Sequence, residues 1–424
     1  MTKPLLTASI AALAALFSSP LGATDVPSRE VLARWADQLG SDQFQDRQIA
    51  TRALLAAGPE AAEFLLAAAR RGDAEIRARA IRVLTEQAMS PQEDRRGPAQ
   101  RALADLASGA EPLAARAAQA ALADLREINI AHAVAELTRL GATVMPQENT
   151  SPLRYAVQIR QSWTGGDDKL ALLADLGPVP WLSLENAPIT DAGLVHVAKL
   201  TDLERLYLGS SRITGRELSR LAPLVNLKYL SLKGLPIGDS ALATLPKLGY
   251  LEHLGLDFTL VSDAGLAELG RFPALQTLWL DATPITDAGL AHLKPLVNLR
   301  TLFIPSTRAT GPGLAHLKQL PSLTYVSLKE CKLAADSVRH IAELEQLETV
   351  GLDHTNVTDD QLADLVSLSR LRILWLSKTA ITDAGLAHLQ KLRNLQVVYL
   401  HGSEVTAEGA EELRKTLPNC HIAR

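Results

Sequence analysis

The sequence predicts an α/β solenoid, parallel strands inside and helices outside, preceded by an all-α domain. Two observations carry most of this. Leucines at Leu203, Leu227, Leu251, Leu275, Leu299, Leu323, Leu347, Leu371 and Leu395 recur every 24 residues with no insertion or deletion. The stretch from Ser28 to about Gly141 has helical apolar spacing and is rich in Ala, Leu and Arg, with no Lys between Lys3 and Lys169. A third observation fixes the ends: a short apolar run opens the chain, and Leu417-Pro418-Asn419-Cys420-His421-Ile422 reads as a truncated strand closing the stack.

The repeat Leu275 to Asn298 shows why each unit folds as it does. Leu278 and Leu280 are two apart, so both side chains point to one face of a strand. Ile285 continues the apolar line past a turn. Thr286 stands where a helix N-cap belongs, and Asp287 puts a negative charge in the first turn, where the helix dipole favours it. Leu290, Leu293 and Leu296 return the chain at helical spacing. One strand and one short helix cannot bury their own apolar face, so each repeat must stack on its neighbours.

A fixed period with the frame L-x-x-L-x-L resembles the leucine-rich-repeat family, over roughly Val179 to Leu417. The I-T-D-A-G-L segments at Ile189, Ile285 and Ile381 are similar to those of its ribonuclease-inhibitor-like and bacterial GALA-like members. The resemblance implies a horseshoe-shaped binding scaffold without catalysis of its own. The family places Asn or Cys at the ninth repeat position, bonded to neighbouring turns. Here that position holds Ser211, Thr259, Thr283, Thr307, Cys331, Thr355, Thr379 and Ser403, which predicts a hydroxyl ladder, broken at Ala187 and Leu235.

The helical part carries a weaker repeat. Arg47, Ala50, Ala53 and Leu54 recur as Arg77, Ala80, Val83 and Leu84, with a degenerate copy at Ala118, Ala121 and Leu122. Small and large apolar residues at this spacing suit closely paired helices, and Asp42 to Gln87 resembles HEAT-type repeats. The alternative is a plain helical bundle capping the solenoid. Helices are expected at 29–39, 44–57, 60–70, 74–89, 99–107, 112–125 and 128–140. The domain boundaries follow: 1–23 signal peptide, 24–141 helical domain, 142–178 junction and N-terminal cap with strands at 142–145 and 155–159, and 179–424 leucine-rich repeats.

Lys3, the apolar run Leu5 to Phe17 and the small-residue exit at Ala23 read as an export signal, which predicts the periplasm, cell envelope or extracellular space. No other stretch is long and apolar enough to span a bilayer, so no integral membrane segment is expected. A formal charge of −4 and the absence of Lys/Arg runs argue against nucleic acid as a partner. Cys331 and Cys420 sit on distant strands and are expected to be unpaired.

Two constellations invite chemistry. His196, His292, His316, His340 and His388 share one repeat position, but helix axes about 8–10 Å apart keep such side chains from one ion, and the row is read as solvent-facing. Asp257 and Asp281 lie on adjacent strands about 4.8 Å apart, near the spacing of a glycosidase pair or a Ca²⁺ site, yet the open face predicts solvent-exposed carboxylates with neither role. There is no phosphate loop, nucleophile elbow or zinc spacing, so no enzyme, metal or cofactor is expected.

The strongest functional signal is an aromatic stripe on the face of the strands. One column runs Ser183, Tyr207, Ser231, Gly255, Trp279, Phe303, Ser327, Gly351, Trp375, Tyr399, and the column before it adds Trp181, Tyr229, His253 and Tyr325. Aromatics are only 4% of the chain, so their concentration on one surface predicts a ligand-binding face. Gly351 and Ser327 are expected to leave a dip between two ring pairs. A protein partner is the leading reading. Glycan or cell-wall binding through the same rings is the first alternative. An intracellular F-box-like adaptor is the second; its only candidate segment is Ala99–Leu125, and it conflicts with an export signal. Cross-strand ring packing that merely stabilises the sheet competes with all three.

Overall fold

The computed structural model describes residues 27–90 and 92–424; the expected signal peptide and its cleavage site lie outside them. The chain divides into two compact units, up to Asn129 and Ile130–Arg424.

The first unit is helical: α1 (Arg29–Gln38), α2 (Phe44–Ala57), α3 (Ala62–Arg71), α4 (Ala74–Ala88), α5 (Glu93–Ala107) and the start of α6 (Pro112–Arg139). Ser28 caps α1 through Val31 N, and Asp73 caps α4 through Glu75 N and Ile76 N. α1 packs on α2, α3 on α4 and α4 on α5, and α1 also packs on α3, α2 on α4 and α3 on α5. The internal repeat is visible in the bonding. Arg47 donates to Ser41 O at 2.7 Å, and its counterpart Arg77 donates to Gly72 O at 3.0 Å. Ala50, Leu54, Ala80, Val83 and Leu84 are buried together, and the buried Gln87 amide joins the two copies by donating to Leu54 O and Gly58 O. Where two helices were expected over 112–140, there is one continuous helix, α6, because no breaker separates Leu125 from Ile128.

The second unit is a leucine-rich-repeat solenoid. Its sheet has thirteen strands in chain order, β1 (Thr143–Gln147), β2 (Arg154–Gln158), β3 (Trp181–Ser183), β4 (Arg205–Tyr207), β5 (Tyr229–Ser231), β6 (His253–Gly255), β7 (Thr277–Trp279), β8 (Thr301–Phe303), β9 (Tyr325–Ser327), β10 (Thr349–Gly351), β11 (Ile373–Trp375), β12 (Val397–Tyr399) and β13 (His421–Ala423). All pairs are parallel except the capping hairpin β1–β2. Leu275, Leu278, Leu280, Ile285, Leu290, Leu293 and Leu296 are all fully buried, as are their equivalents along the stack. The outer helices are short, from a single turn, as in Asp287–Leu290 followed by Ala291–Leu293, up to the ten residues of Ala407–Thr416.

The expected hydroxyl ladder is corrected. Thr283 donates to Leu280 O at 2.6 Å, three residues back in its own turn, and Thr259, Thr355, Thr379 and Ser403 do the same. These hydroxyls are satisfied within their own turn; Cys331 alone among the ladder positions reaches the preceding turn, donating to Ile304 O and lying 3.6 Å from Thr307 Oγ1.

The turns are tied instead by aspartate. Asp263, in the first turn of one repeat, accepts from both Thr286 N at 2.7 Å and Thr286 Oγ1 at 2.6 Å in the next. The same two-bond rung joins Asp167 to Thr190, Asp191 to Thr214, Asp239 to Ser262, Asp287 to Thr310, Asp359 to Thr382 and Asp383 to Thr406. Four hydrogen bonds outweigh burial and hold the Asp287 carboxyl below its usual range. Three residues after the Thr or Ser of most rungs a glycine makes room: a Cβ at Gly193, Gly265, Gly289, Gly385 or Gly409 would overlap the carboxylate of the preceding rung, whereas Thr214 is followed by Glu217. Where the preceding repeat has Gly215 or Gly311 instead of Asp, the facing residue is Ala241 or Ser337, so the small partner has changed sides.

Candidate functional site

The strand register aligns the two columns read from the sequence. Trp181, Tyr229, His253 and Tyr325 share one column with Arg205, Thr277, Thr301, Thr349, Ile373 and Val397. Tyr207, Trp279, Phe303, Trp375 and Tyr399 share the other with Ser183, Ser231, Gly255, Ser327 and Gly351.

The columns compensate each other. A strand with a ring in the first column has Ser or Gly in the second, as in Tyr229/Ser231 and His253/Gly255. A strand with a ring in the second column has Arg, Thr, Ile or Val in the first. Each strand from β3 to β12 therefore carries one ring, except β10, whose Thr349 and Gly351 carry none. From Trp181 the rings form an unbroken contact series. Centroid distances are 5.8 Å to Tyr207, 4.6 Å on to Tyr229, 5.9 Å to Trp279, 5.9 Å to Phe303 and 4.8 Å to Tyr325. His253 lies against both Tyr229 and Trp279. Trp279 and Phe303 are nearly parallel at 7°. Beyond β10, Trp375 and Tyr399 stack at 3.8 Å and 12°.

One expectation changes here. All nine side chains are half-buried rather than exposed, and each packs on at least one neighbouring ring. The expected dip at Ser327 and Gly351 is bordered on β9 by Tyr325, which packs on Phe303. Burial has electrostatic consequences. It pushes the Tyr229 hydroxyl up to about 12, raises Tyr325 and lowers His253, so at neutral pH the band presents uncharged rings.

The edge of the band is built by backbone. The residue three places after each second-column position is left-handed: Asn186, Ser210, Phe258, Ala282, Ser306, Glu330, His354 and Lys378 have φ between 52° and 62°. This conformation lets the N–H bond to the next repeat, as Phe258 N does to Asp281 O at 2.7 Å. A bulky residue is unfavourable there. Phe258 nevertheless occupies it and is 58% exposed, next to Leu260 at 66%, with Lys233 over its ring. Nothing in the sequence flagged this pair, because the left-handed column carries no fixed residue type.

Asp257 and Asp281 also differ from expectation. Asp257 is only 8% exposed, and Asp281 is half-buried with Oδ1 enclosed and without a partner. Asp281 N donates to Asp257 Oδ1 at 3.2 Å. Desolvation, then the neighbouring carboxylate, pushes Asp281 up to about 6, and desolvation raises Asp257. No group of three His, Cys, Asp or Glu side chains that could hold a metal exists among the described residues. Of the histidine row, His292 and His316 are exposed, while His196, His340 and His388 are half-buried. A separate open pocket of about 360 Å³ lies at the other strand edge, lined by Arg154, Asp202, Glu204, Asn226, Lys228 and Tyr250. Arg154 and Lys228 both pair with Glu204 there.

The chain is a leucine-rich-repeat protein, on its own repeat period and strand register. Solved structures of the same class match it. An internalin from Listeria monocytogenes str. 4b F2365 matches at 19% identity over 64% of this chain and 86% of that chain, TM-score 0.41. Internalin C2 of the same strain matches at 24% identity over 55% and 83%, TM-score 0.35. A leucine-rich-repeat protein of Leptospira interrogans matches at 18% identity over 60% and 80%, TM-score 0.35. No protein-family model matches the chain, and no curated protein does. No helix among the described residues is long and apolar enough to cross a membrane.

Proposed function

We propose that this protein is an exported, non-catalytic scaffold that binds a protein partner on the ringed face of its repeats. The supporting observation is the ring placement: one ring per strand over β3–β9 and again over β11–β12, on a sheet held rigid by a fully buried leucine core. Rings fixed this way lose little entropy on binding, and large aromatic side chains dominate interface energetics. The helical unit, read as a HEAT-type stack, supplies a second docking surface or a cap.

The test is an affinity pull-down from envelope extract with the mature chain, followed by titration of variants. Trp279→Ala and Trp375→Ala are each expected to weaken partner binding about thirty-fold. His316→Ala, on the outer face, is expected to change nothing. Wild-type affinity in both Trp variants would move the binding surface elsewhere. N-terminal sequencing of protein from expressing cells is expected to begin near Thr24, and intact Met1 in the cytosol would refute export. Stacked, uncharged rings such as Trp375 and Tyr399 also suit the faces of sugars, and a glycan array separates that reading.

A further inference from the structure

We infer that the open pocket at the strand-start edge of the first repeats binds a neutral sugar residue of a glycan. The site is separate from the ringed face and does not depend on what that face binds.

The repeat period arranges the lining in two rows. Asp202, Asn226 and Tyr250 are 24 residues apart and hold one repeat position on successive turns. Glu204 and Lys228 hold a second position, two residues further on, and Arg154 at the start of β2 joins their row by pairing with Glu204. Neighbouring strands are about 4.8 Å apart, so three repeats span about 10 Å. The cavity they line, about 360 Å³, falls in the range of small-ligand sites, about 300–1,000 Å³.

Tyr250 departs from the repeat. Asn226, Asn298 and Asn394 hold its position, and each amide donates to a carbonyl of the preceding repeat, at 3.0, 2.9 and 2.7 Å. Tyr250 makes no such bond. Its side chain has no hydrogen bond, ion pair or ring contact among the described residues, and the residue is 65% exposed. Where its neighbours tie the turn, this repeat presents a ring to the cavity.

Charge selects the ligand. Glu204 is held between two cations, 3.4 Å from Arg154 and 3.2 Å from Lys228. Asp202 is exposed and has no partner among the described residues. Two cations and two carboxylates cancel. An anion would have to displace Glu204 from its cations while facing Asp202. A cation would have to approach Arg154 and Lys228. A neutral ligand with many hydroxyls meets neither obstacle. Its O–H groups donate to Asp202, Glu204 and the free Oδ1 of Asn226, and its oxygens accept from the remaining N–H groups of Arg154 and Lys228. A sugar ring adds an apolar C–H face to lie on Tyr250. An aliphatic ligand satisfies only the ring.

The experiment applies the mature chain to an array of neutral and acidic glycans, then titrates the best-retained neutral glycan by calorimetry. Neutral glycans are expected to be retained, with a dissociation constant of about 0.1–1 mM for one site. Tyr250→Asn restores the residue of the neighbouring repeats, so it keeps the fold, and is expected to weaken binding about ten-fold. Tyr250→Phe keeps the ring and is expected to stay within about two-fold. Asp202→Ala removes an acceptor at an exposed position and is expected to lose about five-fold. Retention of no neutral glycan, retention of acidic glycans alone, or wild-type affinity in Tyr250→Asn or in Asp202→Ala would each overturn the site. Equal losses in Tyr250→Phe and Tyr250→Asn would overturn it as well, because the ring face would then not be what binds. A glycan lost in Trp375→Ala but held by Tyr250→Asn would place the sugar on the ringed face instead.

Discussion

The rung between Asp263 and Thr286 can be taken apart by a double-mutant cycle with Gly289. Asp263→Ala removes the acceptor for Thr286 N and Thr286 Oγ1, bonds of 2.7 and 2.6 Å. Hydrogen bonds to a charged group contribute about 1.5–3 kcal/mol each; partial exposure lowers this, so a loss of about 2–4 kcal/mol is expected for the pair. Gly289→Ala attacks the same rung from the other side, because its Cβ would overlap the Asp263 carboxylate. It should cost about 2 kcal/mol net, after about 1 kcal/mol of gain from replacing a helical glycine. With Asp263 already alanine, the overlaps with Oδ1 and Cγ are gone and what remains is a tight 3.1 Å approach to the Cα of that residue, set against the helix gain. Gly289→Ala is then expected to be neutral or to stabilise by up to about 1 kcal/mol. The coupling in the cycle is therefore about 2 kcal/mol, read by urea denaturation of the four proteins at one pH. Simple additivity within about 0.5 kcal/mol would mean that the glycine is there for some reason other than the carboxylate.

Asp281→Asn is expected to stabilise the protein at pH 7. The folded carboxyl is raised to about 6, so the folded state binds more protons than the unfolded one; its stabilising share is full below about pH 4 and lost as pH rises through about 6. The nominal shift corresponds to about 3 kcal/mol, reduced to about 1 kcal/mol by the half-buried setting, and the gain should vanish at pH 4. Next door, Leu280→Asp puts a carboxylate at a fully buried position and is expected to cost more than about 4 kcal/mol and to melt neighbouring repeats with its own; a melting temperature like that of Asp281→Asn would refute the face assignment. Burial pushes Cys420 up to about 11 and raises Cys331, so both thiols should react slowly with a thiol reagent when native and both titrate after denaturation without reductant. A Cys331–Cys420 cross-link in a peptide map would show the repeat register to be wrong.

Much of this fold was legible because the leucine period fixes strand register directly. Once Leu278 and Leu302 are aligned, Trp279 and Phe303 must be neighbours, and they are. The Thr286 cap was legible for the same reason, since an N-cap is a local feature. The Asp rungs were not, because an acidic residue in a helix's first turn already has a local explanation in the dipole. Their signature lies between repeats: Asp239, Asp263, Asp359 and Asp383 are each answered by a glycine in the next repeat, whereas Gly215 and Gly311 are answered by Ala241 and Ser337. The burial of Asp257 was also beyond reach. Alternation places Asp257 on the ringed face but does not encode how deeply it is enclosed there.

The ring mosaic bears on the choice between a binding face and mere sheet packing. Packing alone would be served by rings in one column, directly opposite each other along the stack, where cross-strand pairs interact best. The sequence instead moves the ring between columns and clears a Ser or Gly beside each first-column ring, so the band staggers across the face. A staggered band exposes an edge of every ring while burying the rest, which explains why all nine are half-buried. It also makes the vacancy at β10 stand out. A ring at Gly351 or Thr349 would complete the series from Phe303 and Tyr325 to Trp375 and add stacking contacts, each worth about 0.5–1.5 kcal/mol. That strand forgoes the contacts: Thr349 and Gly351 carry no ring, and the ring series stops at Tyr325 and resumes at Trp375. Stability by itself gives no reason for such a gap, so ring packing alone does not account for the whole pattern.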